Sequence, residues 1–303
     1  MMDQAQRLRE LVKIRKTAEV TPKPSSLRII TVTSGKGGVG KSNFAANLAL
    51  CLQDCGHRVL LLDADFGLAN IDVILGVTPK YNFYHFINGS KSITDIIAEG
   101  PKGVKFISGG SGLYELIHMN TEQLDAALAE LSQIESMFDI LLIDTGAGVT
   151  DVILKMILSS HDVILVTTPE PTSVMDAYAL LKNVHTSMEE TKSGHDLKVR
   201  LLVNKAESEK EAQQVLGSFA NVTRQFLNMN VDKLGFILSD DSVTKSIKLH
   251  TPFVLEYPKC TASRKTMQIA LKLLEYSPEP YYGSSIMKFF KHFTSWKPEG
   301  GRA

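Results

Sequence analysis

The sequence predicts a doubly wound α/β domain, with one mostly parallel sheet and helices on both faces. Two observations carry that expectation. Short β-branched runs alternate with helical stretches from residue 27 onward, and a glycine-rich loop joins the first run to the first helix. Near-continuous apolar strands separated by helices are what a sheet buried on both faces requires, because both rows of side chains then meet protein rather than water. The 303 residues, 44% hydrophobic and 22% charged, suffice for a large core and exclude a chain disordered over most of its length.

The elements follow in order. Ala5, Leu8, Leu11, Val12 and Ile14 lie near helical spacing and are followed by a breaker at residues 21–26, so residues 1–26 read as an arm and its linker. The first 28 residues hold seven Lys and Arg against three acids, which suits either a contact surface or the solvated face of a docked helix. Strands are expected at residues 28–33, 59–63, 138–144, 162–167 and 198–203, inside a single domain spanning 27–275. Pro278, Pro280 and Gly283 then stop the last domain helix, leaving residues 276–303 as a linker and a C-terminal helix.

Charge and cysteine usage narrow the class. Thirty-three basic residues balance thirty-three acidic ones, so no overall field draws the chain to nucleic acid, and no specific nucleic acid is expected. Three cysteines at no zinc-binding spacing point to a reducing compartment, the cytoplasm. The N-terminus is charged throughout and lacks the apolar stretch of a secretory signal. The longest apolar runs fall far short of the roughly 18 residues a spanning helix needs.

Gly35, Lys36, Gly37, Gly38, Val39, Gly40, Lys41 and Ser42 follow a strand, open a helix at Asn43 and fit the phosphate-binding pattern G-x-x-x-x-G-K-[ST]. The glycines let backbone N–H groups turn toward phosphate oxygens, Lys41 reaches the outer phosphates, and Ser42 is placed to ligate Mg²⁺. The same letters contain G-x-G-x-x-G, with Asp63 lying 23 residues beyond Gly40, as in a dinucleotide fold. That alternative leaves Lys41 and Ser42 without a use, whereas a triphosphate with its metal needs both. Asp63 and Asp65 end one apolar strand and Asp144 another, at the edge where an open parallel sheet holds phosphates. One carboxylate there can hold the metal's water shell while another orients the attacking water.

Lys36 is the departure from an ordinary P-loop. With it, the motif resembles the deviant Walker A sequence of the MinD/ParA family of dimeric ATPases; residues 63–72 are similar to that family's first switch, residues 144–148 to its second, and residues 168–177 also follow its pattern. The resemblance implies a homodimer formed with ATP and Mg²⁺, in which Lys36 reaches the partner's phosphates. It further implies that Lys41 neutralises phosphate charge, Asp65 positions the hydrolytic water, Asp63 and Asp144 support the metal and the switches, and Asn204 meets the adenine. Division-site and DNA-segregating members of the family are the alternatives; an iron–sulfur carrier would need paired ligating cysteines, and Cys51 and Cys55, one helical turn apart, read as buried thiols.

The termini point to one branch. Asp3, Gln4, Ala5, Leu8 and Arg9 fit the D-Q-A-x-x-L-R motif that begins the flagellar number and placement regulators (FlhG, FleN or YlxH), which implies a partner in the FlhF-like GTPases related to the signal-recognition particle, and contacts with flagellar basal-body or C-ring components. On a helix, Ile286, Phe289, Phe290, Phe293 and Trp296 share one face, with Lys288, Lys291, His292 and Ser295 opposite. Such a basic amphipathic helix suits an anionic membrane surface, here the inner face of the cell membrane; docking on its own domain is the other way to bury that face.

Overall fold

The computed structural model describes residues 27–65, 70–160, 162–191, 197–275 and 286–295. Among these, eight strands form one sheet: β1 (Arg28–Ser34), β2 (Val59–Ala64), β3 (Ala98–Glu99), β4 (Lys105–Ser108), β5 (Ile140–Ala147), β6 (Asp162–Thr167), β7 (Lys198–Ala206) and β8 (Val231–Leu238). Their spatial order is β3-β4-β2-β5-β1-β6-β7-β8, and every pairing is parallel except β3 with β4. The helices of eight or more described residues are α1 (Lys41–Asp54), α2 (Thr121–Leu131), α3 (Asp151–Ser159), α4 (Pro171–Thr191), α5 (Glu209–Leu227), α6 (Asp241–Lys248), α7 (Thr261–Glu275) and α8 (Ile286–Ser295).

The apolar strand runs divide by alternation. Ile30 and Val32 of β1, Val59 and Leu61 of β2, and Ile140 and Leu142 of β5 feed the core shared with α1 and α7. Their neighbours Ile29, Leu60, Leu62, Leu141 and Ile143 feed a second core on the opposite face, and Val163, Leu165, Leu201 and Val203 a third beneath α4 and α5. A period of two with both rows apolar is the pattern of strands covered on both sides.

Side-chain caps start several helices. Asn120 accepts from the Gln123 N–H at 2.9 Å before α2, Thr150 from Ile153 at 3.3 Å before α3, and Ser208 from Glu211 at 3.2 Å before α5. α1 departs from this. Its N-cap is Gly40 in the left-handed region, with no side chain to offer and no acid in the first turn. The uncapped N–H groups point at the carboxyl edge of the sheet, beside the central strand β1.

A buried carboxylate at the amino edge serves the fold. Asp162 receives Arg28 Nε at 2.8 Å and also pairs with Arg200. Burial pushes its carboxyl up, but the two guanidiniums outweigh that and hold it below the ordinary range.

α8 carries the face expected to meet a membrane, and in the structure that face meets the protein. Ile286, Phe289, Phe290 and Phe293 are buried in the second core, with Phe290 stacked on Phe83 at 6.4 Å between ring centroids. The Ile286 N–H donates to Glu135 Oε1 at 2.6 Å, and His292 Nδ1 lies 3.0 Å from Ser159 Oγ. The physical reason is a floor of Phe83, Leu128, Ile134 and Met156 that needs apolar cover. Lys288, Lys291 and Ser295 stay exposed as expected, and Trp296 lies outside the described residues.

Candidate nucleotide site

β1 delivers the glycine-rich loop to the middle of the sheet between β5 and β6, and the loop feeds α1. Two glycines are sterically required. A Cβ on Gly35 would enter the backbone of Asp176 in α4, and one on Gly40, at φ +89°, would enter the Asn204 amide. Asn204 Nδ2 donates to the Val39 carbonyl and Lys205 Nζ to the Gly38 carbonyl, each at 2.7 Å, so the end of β7 pins the loop from outside. Asn204 is thus beside the loop, and its amide is used there. Gly37 and Gly38 lie exposed at the loop's tip, Val39 is buried beneath it, and Asn43 sits in the first turn of α1 with its carbonyl bonded to Asn47.

The two lysines sit at different depths. Lys41 is 6% exposed and reaches Asp144 Oδ1 at 2.7 Å and the Thr145 carbonyl. Lys36 is 38% exposed and donates to Glu170 Oε2 and Thr172 Oγ1, both at 3.0 Å. Lys41 is aimed inward, across the base of the loop, and Lys36 outward along its rim.

Register explains the carboxylates. Asp63 of β2 pairs directly with Asp144 of β5, and Val32 of β1 with the same Asp144. Burial first, and the Asp144 charge second, push the Asp63 carboxyl up to about 6, against three backbone N–H groups that favour its charged form. Those N–H groups belong to Asp65 at 3.1 Å, Asn70 at 2.9 Å and Ile71 at 3.1 Å, so Asp63 ties Asp65 to the start of the helical turn at Ile71. Burial also raises Asp144, partly offset by Lys41. A Cβ built on Gly146 would stand 3.5 Å from Asp65 Oδ1, so the Asp65 carboxylate lies over that glycine of β5.

Mg²⁺ fits this donor set. Asp144 Oδ2 is buried with no hydrogen-bond partner among the described residues, and the Ser42 hydroxyl is 3.5 Å from Lys41 Nζ. Hydroxyl and carboxylate oxygens beside a phosphate nest suit a hard cation that keeps most of its waters.

The family model described as ParA, NUBPL iron-transfer P-loop NTPase, matches residues 26–274. The antiactivator FleN of Pseudomonas aeruginosa is 35% identical over 91% of this chain and 96% of its own. The chain belongs to the MinD/ParA family of P-loop ATPases. The flagellum site-determining protein YlxH of Helicobacter pylori is 40% identical over 60% of this chain and 62% of its own length. The fold matches MinD in the MinC:MinD cell division complex of Aquifex aeolicus, with TM-score 0.65 and 23% identity over 83% of this chain and 97% of that one. It also matches the Mg-ADP complex of MinD from Pyrococcus horikoshii, with TM-score 0.61 and 23% identity over 82% and 96%.

Sequence reasoning placed Lys36, Lys41, Ser42, Asp63, Asp65 and Asp144 at this edge, and the structure brings them together. It missed Glu170 and Thr172, which hold Lys36, and Lys205, whose left-handed backbone at φ +56° aims its amine at the loop. The run at 168–177 was the available signal for the first two. Asp3, Gln4, Ala5, Leu8 and Arg9 lie outside the described residues, as do residues 66–69.

Proposed function

We propose that this ATPase is a nucleotide-switched homodimer that cycles between cytoplasm and the inner face of the cell membrane and regulates flagellar number and placement. The observation that carries the reading is that Lys36 lies half-exposed at the rim while Lys41 is buried against Asp144: Lys41 would serve the chain's own phosphates, and Lys36 would be the lysine that a second copy meets. Likeness to FleN and YlxH supports the flagellar assignment.

In hydrolysis, the loop N–H groups and the uncapped start of α1 bind phosphate oxygens, and Lys41 transfers from Asp144 to the outer phosphates. Asp65, over Gly146, accepts a hydrogen bond from the attacking water and fixes its line of approach. Ser42, with Asp144 and Asp63, would hold Mg²⁺, which would supply charge neutralisation at the phosphates. An iron-cluster cargo is disfavoured: Cys51 is buried, and burial ahead of nearby Asp54 pushes its thiol up to about 12, so it stays protonated.

The apolar face of α8 serves either its groove or lipid, so loosening one occupancy favours the other. Glu135→Ala removes the carboxylate that caps α8, a contact worth about 0.5–2 kcal/mol. The membrane-bound to free ratio in flotation with anionic liposomes should then rise about twofold to thirtyfold. Phe290→Glu should abolish it. Flotation that survives Phe290→Glu removes α8 as the anchor.

Residues 1–26 would act on an FlhF-like GTPase, with Arg7 and Arg9 supplying charge-assisted hydrogen bonds and Leu8 an apolar anchor. A peptide of residues 1–22 should stimulate that GTPase, and Gln4→Ala should weaken the stimulation. Equal GTP turnover with and without saturating peptide assigns the arm to its own domain instead.

A further inference from the structure

We propose that a cleft along the outer edge of β8 docks an acidic peptide segment of a partner protein, one with an apolar side chain beside its carboxylates. β8 ends the sheet, three strands from the P-loop strand β1, so the cleft is separate from the nucleotide machinery. It measures about 260 Å³ and is walled by α5 on one side and α7 on the other. Lys233, Lys265 and Lys272 converge on it over a floor of Leu216, Phe236 and Ile269. Amines above an apolar floor match a carboxylate next to an apolar group.

Two of the lysines are held by contacts. Lys272 Nζ donates to the Lys233 and Leu234 carbonyls at 2.6 and 3.0 Å. Those carbonyls are therefore occupied, so the peptide lays side chains into the cleft rather than pairing there as a further strand. Lys265 Nζ stands 4.5 Å from the Phe236 ring centroid and 3.4 Å from Glu209 at the rim. Lys233 is exposed, with its ammonium beside Gly217 of α5.

Size and charge select the occupant. Sites for free small molecules run roughly 300–1,000 Å³, so this cleft takes about one or two side chains of a larger partner. The chain's own arm, residues 1–26, has six Lys and Arg against three acids and carries the wrong sign. Duplex DNA is held by a long row of phosphate contacts, about six to ten in strong binders, and three amines, two already engaged, cannot supply them.

The test is fluorescence anisotropy of a labelled short peptide alternating Glu and Leu, titrated with the full chain. Saturable micromolar binding is expected. Lys233→Glu should weaken it about tenfold. Lys182→Glu, which makes the same charge change at an exposed position of α4, a helix that does not line the cleft, should leave it within about twofold. Equal losses in the two variants, no binding by the wild-type chain, or tighter binding of a short DNA duplex that Lys233→Glu abolishes would each overturn the proposal.

Discussion

Asp144→Asn should lower the stability of the domain by about 3–5 kcal/mol, a melting shift on the order of 10 °C for a domain of this size. The substitution keeps the shape of the side chain and removes its charge. Lys41 is then left buried, with the Thr145 carbonyl in place of a carboxylate. An uncompensated buried ammonium is the expensive case, whereas an exposed pair is worth little. Arg58 and Asp139, at 2.7 Å and with Arg58 half exposed, provide the comparison: Asp139→Asn should cost about 1 kcal/mol or less. A nonhydrolysable ATP analogue gives Lys41 a new anionic partner, so it should narrow the gap between Asp144→Asn and wild type. Calorimetry with and without the analogue checks both statements. Equal costs for Asp144→Asn and Asp139→Asn would mean that the Lys41 pair is not the buried strut described here.

Asp65→Ala should cut the rate of ATP hydrolysis about 10²- to 10⁴-fold, the usual loss when a positioned acid–base group is removed. ATP affinity should be nearly unchanged. In the proposed mechanism the loop, α1 and Lys41 hold the phosphates, while Asp65 acts on the attacking water. Asp63→Ala is expected to behave differently, because Asp63 accepts the backbone N–H groups of Asp65, Asn70 and Ile71, and its loss removes the anchor that places Asp65. Single-turnover hydrolysis alongside equilibrium nucleotide binding separates the two variants. Hydrolysis by Asp65→Ala at the wild-type rate would remove Asp65 from the mechanism.

The strands were legible because both of their faces are buried, so runs such as residues 140–143 are apolar without interruption. The phosphate loop was legible because its chemistry needs fixed residue types at fixed spacing. Pairings set by the sheet order were not. Lys41 and Asp144 are 103 positions apart and meet only because β5 lies beside β1. The hold of Glu170 and Thr172 on Lys36 depends likewise on β6 being the other neighbour of β1. Lys205 carries no local signal for its left-handed backbone, since that conformation is imposed by the end of β7. The amphipathic face of α8 could be read from spacing, but its cover could not, because a bilayer and an apolar groove ask the same of a helix.

Multi-angle light scattering of the purified chain with Mg²⁺ and either ADP or a nonhydrolysable ATP analogue, run in parallel on Lys36→Ala, tests the central claim most directly. The account predicts a shift from one chain's mass to twice that mass with the analogue alone, and a Lys36→Ala protein that binds the analogue yet stays at one. A wild-type chain of the same mass in both nucleotides, or a Lys36→Ala protein that dimerises as wild type does, would contradict it.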